Sequence, residues 1–406
     1  MDHSLLTQIA DQYGGAFYLL DSLQIKKNFL ELKAAFTALY PNFNIAYSYK
    51  TNYTPKLCHI INGLGGYAEV VSDLELELAL RVGVTPDKII WNGPYKNAQV
   101  MEQFLISGGT VNLDSAYETE LLRKIADRYP KHLLRVGIRC NFDIEAGGTS
   151  RFGFDIESED FRDAMRLIQS YENLHFVGLQ CHFAPRSLET WRSRTGGMLD
   201  LLDRLELVPE CIDLGGGLFG NMPASLKAQF DSYVPTITEY AEIIAPVFAE
   251  RFRNEEKPPL LLLEPGSALA GDCMKFVCKV INIKTVRGKN IATLLGSIYN
   301  INPTLNKKSP PIEILPTGGV QKAYLDLDFG GYTCIESDYL YKHYDGTLAV
   351  GDLVVFDNVG SYSIVLKPPF ILPNFPVLEL NGDNVELIKR GESFDDLFHT
   401  FIINQE

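Results

Sequence analysis

The stretch NIAYSYKTNY, residues 44–53, carries a lysine at the end of an alternating run. Successive side chains of a strand point to opposite faces. Asn44, Ala46 and Ser48 therefore share one face with Lys50, and all three are small or polar. A lysine whose surroundings lower its pKa can form a Schiff base in an enzyme. An exposed lysine at a strand end is the commoner interpretation. The residues elsewhere in the sequence are needed to distinguish these two interpretations.

Composition and charge set the class of protein. The chain has 406 residues, of which 46% are hydrophobic and 22% are charged, which is typical of a globular protein of about two domains. Its net charge of −14 argues against nucleic acid or an anionic membrane as a partner. Seven cysteines at irregular spacings predict free thiols and no metal site. The N-terminus lacks a signal-peptide pattern and no apolar run spans a membrane, so we expect a soluble cytoplasmic protein.

Strand candidates alternate with helical stretches from Asn44 to about Gly266. Eight such units predict an α/β fold, a (β/α)₈ TIM-type barrel. A doubly wound open sheet would also alternate, but it seldom needs eight units. The predicted strands are NIAYSYK (44–50), GYAEV (66–70), KIIWNG (88–93), TVNLD (110–114), LLRVGIRC (133–140), HFVGLQCH (175–182), CIDLGGG (211–217) and LLLLEPG (260–266).

The ends of these strands carry the candidate site, because barrel enzymes place their chemistry at the C-terminal ends of the strands. The triple glycine after the seventh strand would let backbone N–H groups approach an anion, a common phosphate position in barrels. Together with a lysine across the barrel, it predicts pyridoxal 5'-phosphate (PLP) as the cofactor. The residues at the strand ends are Lys50, Glu69, Asp114, Arg139, His182, Gly215–Gly217 and Glu264.

The helical pattern stops after Gly266, and a second domain is predicted there. Alternating segments such as MKFVCKVINIKTV, KAYLDLDF and DLVVFDNV are broken by glycine and proline, which is typical of a β-domain. The early run AFYLLD (16–21) is strand-like as well. We therefore predict a PLP-binding barrel over residues 22–270 and a β-domain over residues 271–406, joined by the strand within residues 1–21.

From about Phe17 to Ile388 the chain resembles the fold-type III PLP enzymes, specifically the diaminopimelate/ornithine decarboxylase family. The resemblance implies an alanine-racemase-like barrel followed by a β-sandwich-like domain, which agrees with the strand count. The motifs that carry it are YSYKTN, EVVSDLELELAL, RFGF, QCHF, LDLGGG, LLEPG, GYTCIESDYL and GDLVVFDNVGSYS.

The resemblance implies roles for the residues of the barrel. Lys50 would hold the cofactor covalently, and His182 would stack on its ring. Glu264 would pair with the pyridine nitrogen, because a carboxylate keeps that nitrogen protonated and a protonated ring is the better electron sink. Arg139 is a candidate near the phenolic oxygen, although a rim ion pair is an equal alternative. The residues implied at the phosphate are Gly215, Gly216, Gly217 and Tyr362, and Gly266 and Ser267 are further candidates for binding the cofactor.

The segment CIESD, residues 334–338, matches the family's C-x-x-x-D. In that family the segment reaches into the partner's active site, so the resemblance implies a homodimer with shared sites. Cys334 would return a proton to the carbon that loses CO₂, and Asp338 would contact the substrate.

Two departures from the family concern the phosphate. The usual EPGR is EPGS here, with Ser267 in place of the arginine, and the loop after His182 reads CHFAPRS. Our hypothesis is that Arg186 in this loop replaces the lost phosphate charge. An exposed loop arginine is an equal alternative.

A third departure concerns the substrate. Where diaminopimelate decarboxylases have an arginine before proline that clamps a substrate carboxylate, this chain has Asn302, which becomes a candidate substrate-binding residue. Ile335 replaces the acidic residue after the cysteine. Glu336, one step later, could still bind an amine. Lys307 or Lys308 could replace the carboxylate clamp, although a solvated loop lysine is the commoner interpretation.

These features predict a PLP-dependent decarboxylase of an α-amino acid or a conjugated amino acid, in specialised metabolism of the siderophore or antibiotic type. Diaminopimelate decarboxylase of lysine biosynthesis is the first alternative. An amino-acid racemase ranks lower, because it needs a second base where the motif has Cys334. A non-catalytic PLP carrier usually consists of the barrel alone, so the predicted β-domain argues against this alternative.

Overall fold

The computed structural model describes residues 3–402. They form two compact units. One unit comprises Lys26–Gly220 and Ser232–Leu269, and the other comprises the remaining described residues, including the segment Asn221–Asp231. Within residues 3–402, none of the helices combines the length and the apolar character that a membrane-spanning segment requires.

Strands and helices alternate through the first unit, and strands dominate the second. The strands are β1 (Ala16–Asp21), β2 (Phe43–Ser48), β3 (Tyr67–Val70), β4 (Ile89–Trp91), β5 (Thr110–Leu113), β6 (Leu134–Asn141), β7 (Phe154–Asp155), β8 (Leu174–Gln180), β9 (Cys211–Asp213), β10 (Leu260–Leu263), β11 (Met274–Val286), β12 (Lys289–Leu294), β13 (Ile312–Leu315), β14 (Lys322–Gly330), β15 (Tyr339–Leu348), β16 (Leu353–Phe356), β17 (Val377–Asn381) and β18 (Asn384–Lys389). The helices are α1 (His3–Tyr13), α2 (Ser22–Thr37), α3 (Pro55–Gly63), α4 (Asp73–Arg81), α5 (Ala98–Ile106), α6 (Ala116–Arg128), α7 (Glu159–Ser170), α8 (Leu188–Arg204), α9 (Ala224–Lys227), α10 (Ile237–Arg251), α11 (Ser267–Ala270), α12 (Ile298–Ile301), α13 (Ser363–Leu366) and α14 (Phe394–Phe398).

The first unit is a closed parallel barrel. Its strands pair in the order β2, β3, β4, β5, β6, β8, β9 and β10, and β10 returns to β2, with Leu261 opposite Phe43. Every pairing in this ring is parallel. All eight predicted strands are present, so the TIM-type barrel is confirmed. Buried side chains such as Ala46, Ile90 and Leu262 pack together inside it.

Local sequence signals explain where several helices begin. Ser72 accepts a hydrogen bond from the N–H of Glu75 at the start of α4, as a capping residue should. A full capping box, with Thr236 and Glu239, starts α10. Each barrel strand is connected to the next by at least one helix, so the C-terminal ends of all eight strands lie on one rim.

The second unit is built on a mixed nine-stranded sheet. The strand β1 lies between β11, with which it is antiparallel, and β17, with which it is parallel. Its residues Phe17 and Leu19 are buried with Val277 and Leu378 in one apolar cluster. The run AFYLLD thus forms a strand of this sheet, and a separate β-domain accompanies the barrel.

Candidate active site

Lys50 lies in a 3₁₀ turn, Tyr49–Thr51, that directly follows β2. Its ammonium group donates a hydrogen bond to Glu69 Oε2 at 2.5 Å and lies 3.4 Å from Ser48 Oγ. Ser48 also donates to Glu69 at 2.6 Å, because β2 and β3 pair in a register that sets Ser48 opposite Glu69. The polar face of the NIAYSYK strand therefore converges on one carboxylate at the barrel rim.

Glu69 is ionised in this setting. Burial opposes its negative charge, but the Lys50 ammonium and the hydrogen bonds from Lys50 and Ser48 hold the pKa of the carboxyl group below its usual value. Asn92, the residue after β4, adds a hydrogen bond of 3.2 Å to Glu69 Oε1. The result is a buried carboxylate bound to a partly exposed lysine.

A second carboxyl group, that of Glu264, lies just after β10 and is 2% exposed. Asn92 donates to Glu264 Oε1 at 2.6 Å, and Gln180, the last residue of β8, donates to the same oxygen at 3.1 Å. Asn112 donates to the amide oxygen of Asn92 at 2.8 Å, which fixes the direction of the Asn92 NH₂ group. These amides orient Glu264 across the barrel.

Glu264 stands close to other buried carboxyl groups. Burial, together with the charges of Asp213 and Glu69, raises the pKa of Glu264 well above its usual range. Burial also raises the pKa of Asp213 to about 6. A neutral carboxyl group in this position ionises when a positive group arrives beside it. The protonated nitrogen of a pyridine ring is such a group.

The loop Leu214–Gly217 after β9 depends on its glycines. Gly215 and Gly217 have φ angles of +71° and +94°, which side chains disfavour. A Cβ on Gly216 would lie 2.5 Å from the carbonyl oxygen of Glu264. The carbonyl of Gly215 accepts a hydrogen bond of 2.9 Å from the N–H of Glu264. The glycines thus let the loop lie directly against the Glu264 segment.

Helix α8 holds the carbonyl groups of this loop. Arg194 donates to the carbonyl of Gly216 at 2.6 Å, and Trp191 donates to that of Gly217 at 3.1 Å. A trans peptide directs its N–H opposite to its C=O, so the N–H groups of Gly217 and Leu218 point away from α8. Within the described part of the chain, no residue accepts a hydrogen bond from the N–H groups of Gly216, Gly217 or Leu218. Buried N–H groups without an acceptor are rare, and these three fit a phosphate.

His182 follows β8 by two residues and is partly buried. Burial, reinforced by the positive charges of Lys50 and Arg194, holds the pKa of His182 well below its usual range. Its ring is therefore neutral at neutral pH and suited to stacking. A cavity of about 210 Å³ opens at this rim. Its lining includes Lys50, Glu69, Asn92, Arg139, His182 and Glu264.

Arg139, near the end of β6, lies 3.4 Å from Asp114. Its guanidinium group also covers the ring of Phe152 at 4.7 Å from the centroid. The rim ion pair is therefore present, and the same arginine lines the cavity.

The segment EPGS brings Gly266 and Ser267 to the same rim. A side chain on Gly266 would collide with the hydroxyl of Thr51, in the turn that carries Lys50. A Cβ on Gly220, three residues after the glycine loop, would lie 3.0 Å from the carbonyl oxygen of Ser267. Ser267 therefore lies between the lysine turn and the segment that follows the glycine loop.

Arg186 is partly buried in the loop between β8 and α8. Its carbonyl accepts a hydrogen bond of 2.6 Å from the hydroxyl of Tyr240, and its guanidinium carbon lies 5.1 Å from the centroid of the Phe219 ring. Phe219 follows the glycine loop by two residues, so Arg186 stands next to that loop.

The predicted residues of the second unit are described within that unit. Tyr362 precedes α13 with a φ of +59°, an uncommon conformation for a bulky residue that is often found at functional sites. Cys334 and Glu336 are exposed in the connection between β14 and β15. These three side chains keep the roles that the sequence predicts as proposals.

Asp338 is 4% exposed and anchors the same connection. Its carboxylate accepts hydrogen bonds from Ser297 Oγ at 3.0 Å, from the N–H of Ile298 at 2.7 Å and from Thr333 Oγ1 at 2.6 Å. In this structure Asp338 therefore positions the loop that carries Cys334. A substrate contact by Asp338 stays a prediction.

Asn302 directly follows α12 and is 7% exposed. Its amide donates to the carbonyl of Asn306 at 2.8 Å and accepts from the hydroxyl of Thr304 at 3.0 Å. Both ends of the side chain thus serve its own turn, and a substrate contact by Asn302 stays a prediction too.

Sequence reasoning missed several polar residues of the barrel, namely Asn92, Asn112, Gln180, Asp213 and Arg194. Asn92 and Gln180 stand at strand ends, and that position was an available signal, although an uncharged amide drew no attention. Arg194 lies in the middle of α8, where only the folded structure reveals that it is buried.

The structure combines a (β/α)₈ barrel with a separate mixed sheet, and the barrel has a lysine after its first strand and a glycine loop after its seventh. These features define the alanine-racemase-like class of PLP enzymes. Residues 23–271 match the family model of the pyridoxal-dependent decarboxylases, over the pyridoxal-binding domain. The chain belongs to this family. It is a PLP-dependent carboxy-lyase that acts on an amino acid, and PLP is its cofactor.

Similar proteins extend the match over nearly the whole chain. A probable chloroplastic diaminopimelate decarboxylase of Oryza sativa is 28% identical over 97% of this chain and 82% of its own. An L-glutamyl-acyl-carrier-protein decarboxylase of Niallia circulans is 25% identical over 98% of this chain and 96% of its own. The solved structure of a diaminopimelate decarboxylase from M. jannaschii superimposes with a TM-score of 0.87 at 23% identity, covering 98% of this chain and 94% of that one.

The residues at the rim fit PLP. Three N–H groups that find no acceptor among residues 3–402 suit its phosphate, and a carboxyl group with a raised pKa suits its ring nitrogen. Lys50 is the amine that would bond to its aldehyde, and a neutral imidazole lies beside the cavity.

Proposed function

We propose that this protein decarboxylates diaminopimelate, the reaction after which most of the similar full-length proteins are named. The choice of substrate rests on these similar proteins, and the observation that supports catalysis is the rim of the barrel. One cavity brings together Lys50, Glu69, His182 and Glu264, beside a glycine loop whose N–H groups have no acceptor in the described part of the chain. A chain that keeps this full set of groups is equipped for catalysis as well as for holding a cofactor.

In this proposal each side chain has one task. Lys50 holds the cofactor, and Glu69 keeps the lysine directed into the cavity. Glu264, oriented by the amides of Asn92 and Gln180, keeps the ring nitrogen protonated. When bound, PLP supplies the electron sink that accepts the electron pair left by the departing α-carboxylate.

Loss of CO₂ breaks one C–C bond, and a proton must then form a C–H bond at the same carbon. Cys334 is proposed to deliver that proton, since its thiol is exposed on a loop that Asp338 anchors. By the family resemblance the thiol serves the site of a second copy of this chain, so we propose a homodimer. Tyr362 is proposed to add a hydroxyl group at the phosphate, and Glu336 a carboxylate at a substrate amine.

The second candidate is the α-decarboxylation of a conjugated amino acid, such as a glutamyl group carried on another molecule. A specific observation favours it: Asn302 stands where a clamp for a distal carboxylate is expected, and its amide is engaged in its own turn. A substrate whose distal carboxyl group is already esterified needs no such clamp. The similarity to the decarboxylase from Niallia circulans is consistent with this candidate.

The test measures CO₂ release by the purified holoenzyme from a panel of substrates. The panel contains the stereoisomers of diaminopimelate, ornithine, lysine, arginine, free glutamate and a glutamyl thioester. We expect turnover of a diaminopimelate isomer, and Lys50→Ala gives the background rate. Turnover of the thioester alone supports the second candidate and overturns the first. CO₂ release only from ornithine, lysine or arginine would contradict both.

A further inference from the structure

Helix α8 buries an arginine that the proposed mechanism does not use. The side chain of Arg194 is 0% exposed. Its Nη1 donates to the carbonyls of Leu214 at 3.1 Å and Gly216 at 2.6 Å. Its Nη2 donates to the carbonyls of Phe183 at 2.7 Å and Pro185 at 3.3 Å. One guanidinium group thus joins the glycine loop to the loop that follows His182.

The charge of Arg194 has no carboxylate partner among residues 3–402: all four of its acceptors are backbone carbonyls. Burial lowers the pKa of Arg194 only to about 10, so the group is charged at neutral pH. An unpaired charge in the interior is costly. The guanidinium also stacks on Trp191, 3.9 Å from the ring centroid, which fixes its plane.

The guanidinium group of Arg194 lies close to the N–H groups that would bind the phosphate. A Cβ on Gly217 would lie 3.6 Å from Nη2, so the guanidinium group lies directly behind the glycine loop. It binds the carbonyl of the Gly216–Gly217 peptide, whose N–H points to the opposite side. A cation on the carbonyl polarises the peptide and strengthens its N–H as a donor. The positive charge therefore acts on an anion across one peptide group.

We propose that Arg194 is the buried counter-charge of the cofactor's phosphate and acts through the Gly216–Gly217 peptide. Arg194 is a positioning residue in this scheme, because the loop lies between it and the ligand. The proposal concerns the PLP site of the barrel and holds whichever amino acid is the substrate. It also assigns a role to an arginine that lies on a helix and not at the end of a strand.

A purely structural clamp is the competing explanation, and the two differ in what they predict for the phosphate. A clamp would support every ligand of the cavity alike. A counter-charge favours ligands that carry a phosphate. The discriminating quantity is therefore the ratio of the dissociation constants of pyridoxal and PLP, measured on the apoenzyme by the absorbance of the bound aldehyde, with inorganic phosphate as a competitor of PLP.

Three variants complete the experiment. Arg194→Gln removes the charge, and Arg194→Lys keeps a charge with fewer hydrogen bonds. Trp191→Phe is the matched control, because it removes a neutral hydrogen bond to the same loop and keeps an aromatic ring for the guanidinium group to stack on. For Arg194→Gln we expect a loss in PLP and phosphate affinity of about tenfold or more, with pyridoxal changed less than about threefold. Arg194→Lys should recover most of the loss, and Trp191→Phe should weaken PLP by about threefold or less.

Equal losses for PLP and pyridoxal in Arg194→Gln would overturn the proposal in favour of a clamp. Unchanged affinity for PLP would overturn it as well. If Arg194→Gln does not fold, Arg194→Lys decides the question: retained inorganic phosphate competition supports the charge, and its loss contradicts it. None of these measurements requires turnover, so a wrong substrate assignment leaves them intact.

Discussion

The ammonium of Lys50 and the carboxylate of Glu69 lie 2.5 Å apart at the barrel rim, and the two side chains differ in exposure. Lys50 is 31% exposed, whereas Glu69 is 1% exposed. Removing the lysine therefore leaves a buried carboxylate without its cation. Removing the charges of both Lys50 and Glu69 leaves no unpaired charge from this pair.

The first prediction follows from this asymmetry. Lys50→Ala should abolish the absorbance of the covalently bound cofactor and nearly all CO₂ release. It should also lower the free energy of unfolding of the apoenzyme by about 1–3 kcal/mol, because Glu69 loses its partner. Adding Glu69→Gln to Lys50→Ala should restore part of that stability without restoring activity. Denaturant unfolding of the wild type and the two variants measures this, and a cofactor bond that survives in Lys50→Ala and is reducible with borohydride would contradict the assignment.

The second prediction concerns Gly216. In Gly216→Ala the new methyl group would lie 2.5 Å from the backbone oxygen of Glu264, which cannot move cheaply. We expect the loop to shift, with a loss of roughly 1–3 kcal/mol in stability and weaker PLP binding. Gly196→Ala in α8 is the control, because an added Cβ there meets no atom within 4 Å. Equal thermal unfolding temperatures for the two variants would show that the contact between the new methyl group and Glu264 does not destabilise the protein.

The third prediction concerns pH. Burial raises the pKa of Asp213 from its usual value of 3.8 to about 6, so the folded apoenzyme binds more protons than the unfolded chain between these values. The free energy of unfolding should therefore fall as the pH rises from about 4 to about 6. Asp213→Asn should remove this contribution, roughly 2–3 kcal/mol. Urea unfolding at several pH values measures it, and parallel profiles for wild type and variant would refute the assignment.

The fourth prediction tests Arg186. If its guanidinium contacts the phosphate, Arg186→Ala should weaken PLP binding by about 1.5–3 kcal/mol. Arg192→Ala, on the following helix, serves as a control for the loss of a nearby surface charge. An experimental structure with PLP in which the Arg186 guanidinium points to solvent would exclude the contact.

The fifth prediction tests the proposed sharing of sites between two copies. Lys50→Ala and Cys334→Ala should each be inactive, and a mixture of the two should recover activity after subunits exchange. Some mixed dimers then contain one site with both intact residues. Exchange must be shown independently, for instance with differently tagged chains. Proven exchange without recovered CO₂ release would place both residues of a site in one chain.

The eight barrel strands could be predicted because each is marked in the sequence by a continuous apolar or alternating run. In the structure all eight form one closed ring. Charged residues at strand ends could be found in the same way, and Lys50, Arg139, His182 and Glu264 do line one cavity. Lys50 itself lies in a turn beyond the strand, since the hydrogen-bonded ladder of β2 ends at Ser48.

What could not be predicted depends on contacts between distant segments. The direction of the Asn92 amide is set by Asn112, and the burial of Arg194 is set by carbonyls of two separate loops. Asp338 matches a motif, but its hydrogen bonds to Ser297 and Thr333 become visible only in the folded sheet. Such networks leave no periodic signal in a single sequence.

The place of β1 in its sheet has a consequence for biosynthesis. This strand is almost wholly buried between β11 and β17, yet about 250 residues separate it from β11 along the chain. At roughly 5–20 residues per second, a ribosome needs about 13–50 seconds to make that stretch. AFYLLD is therefore among the first segments to be synthesised and among the last to find its neighbours. During that interval its apolar side chains lack the neighbours that cover them in the folded sheet.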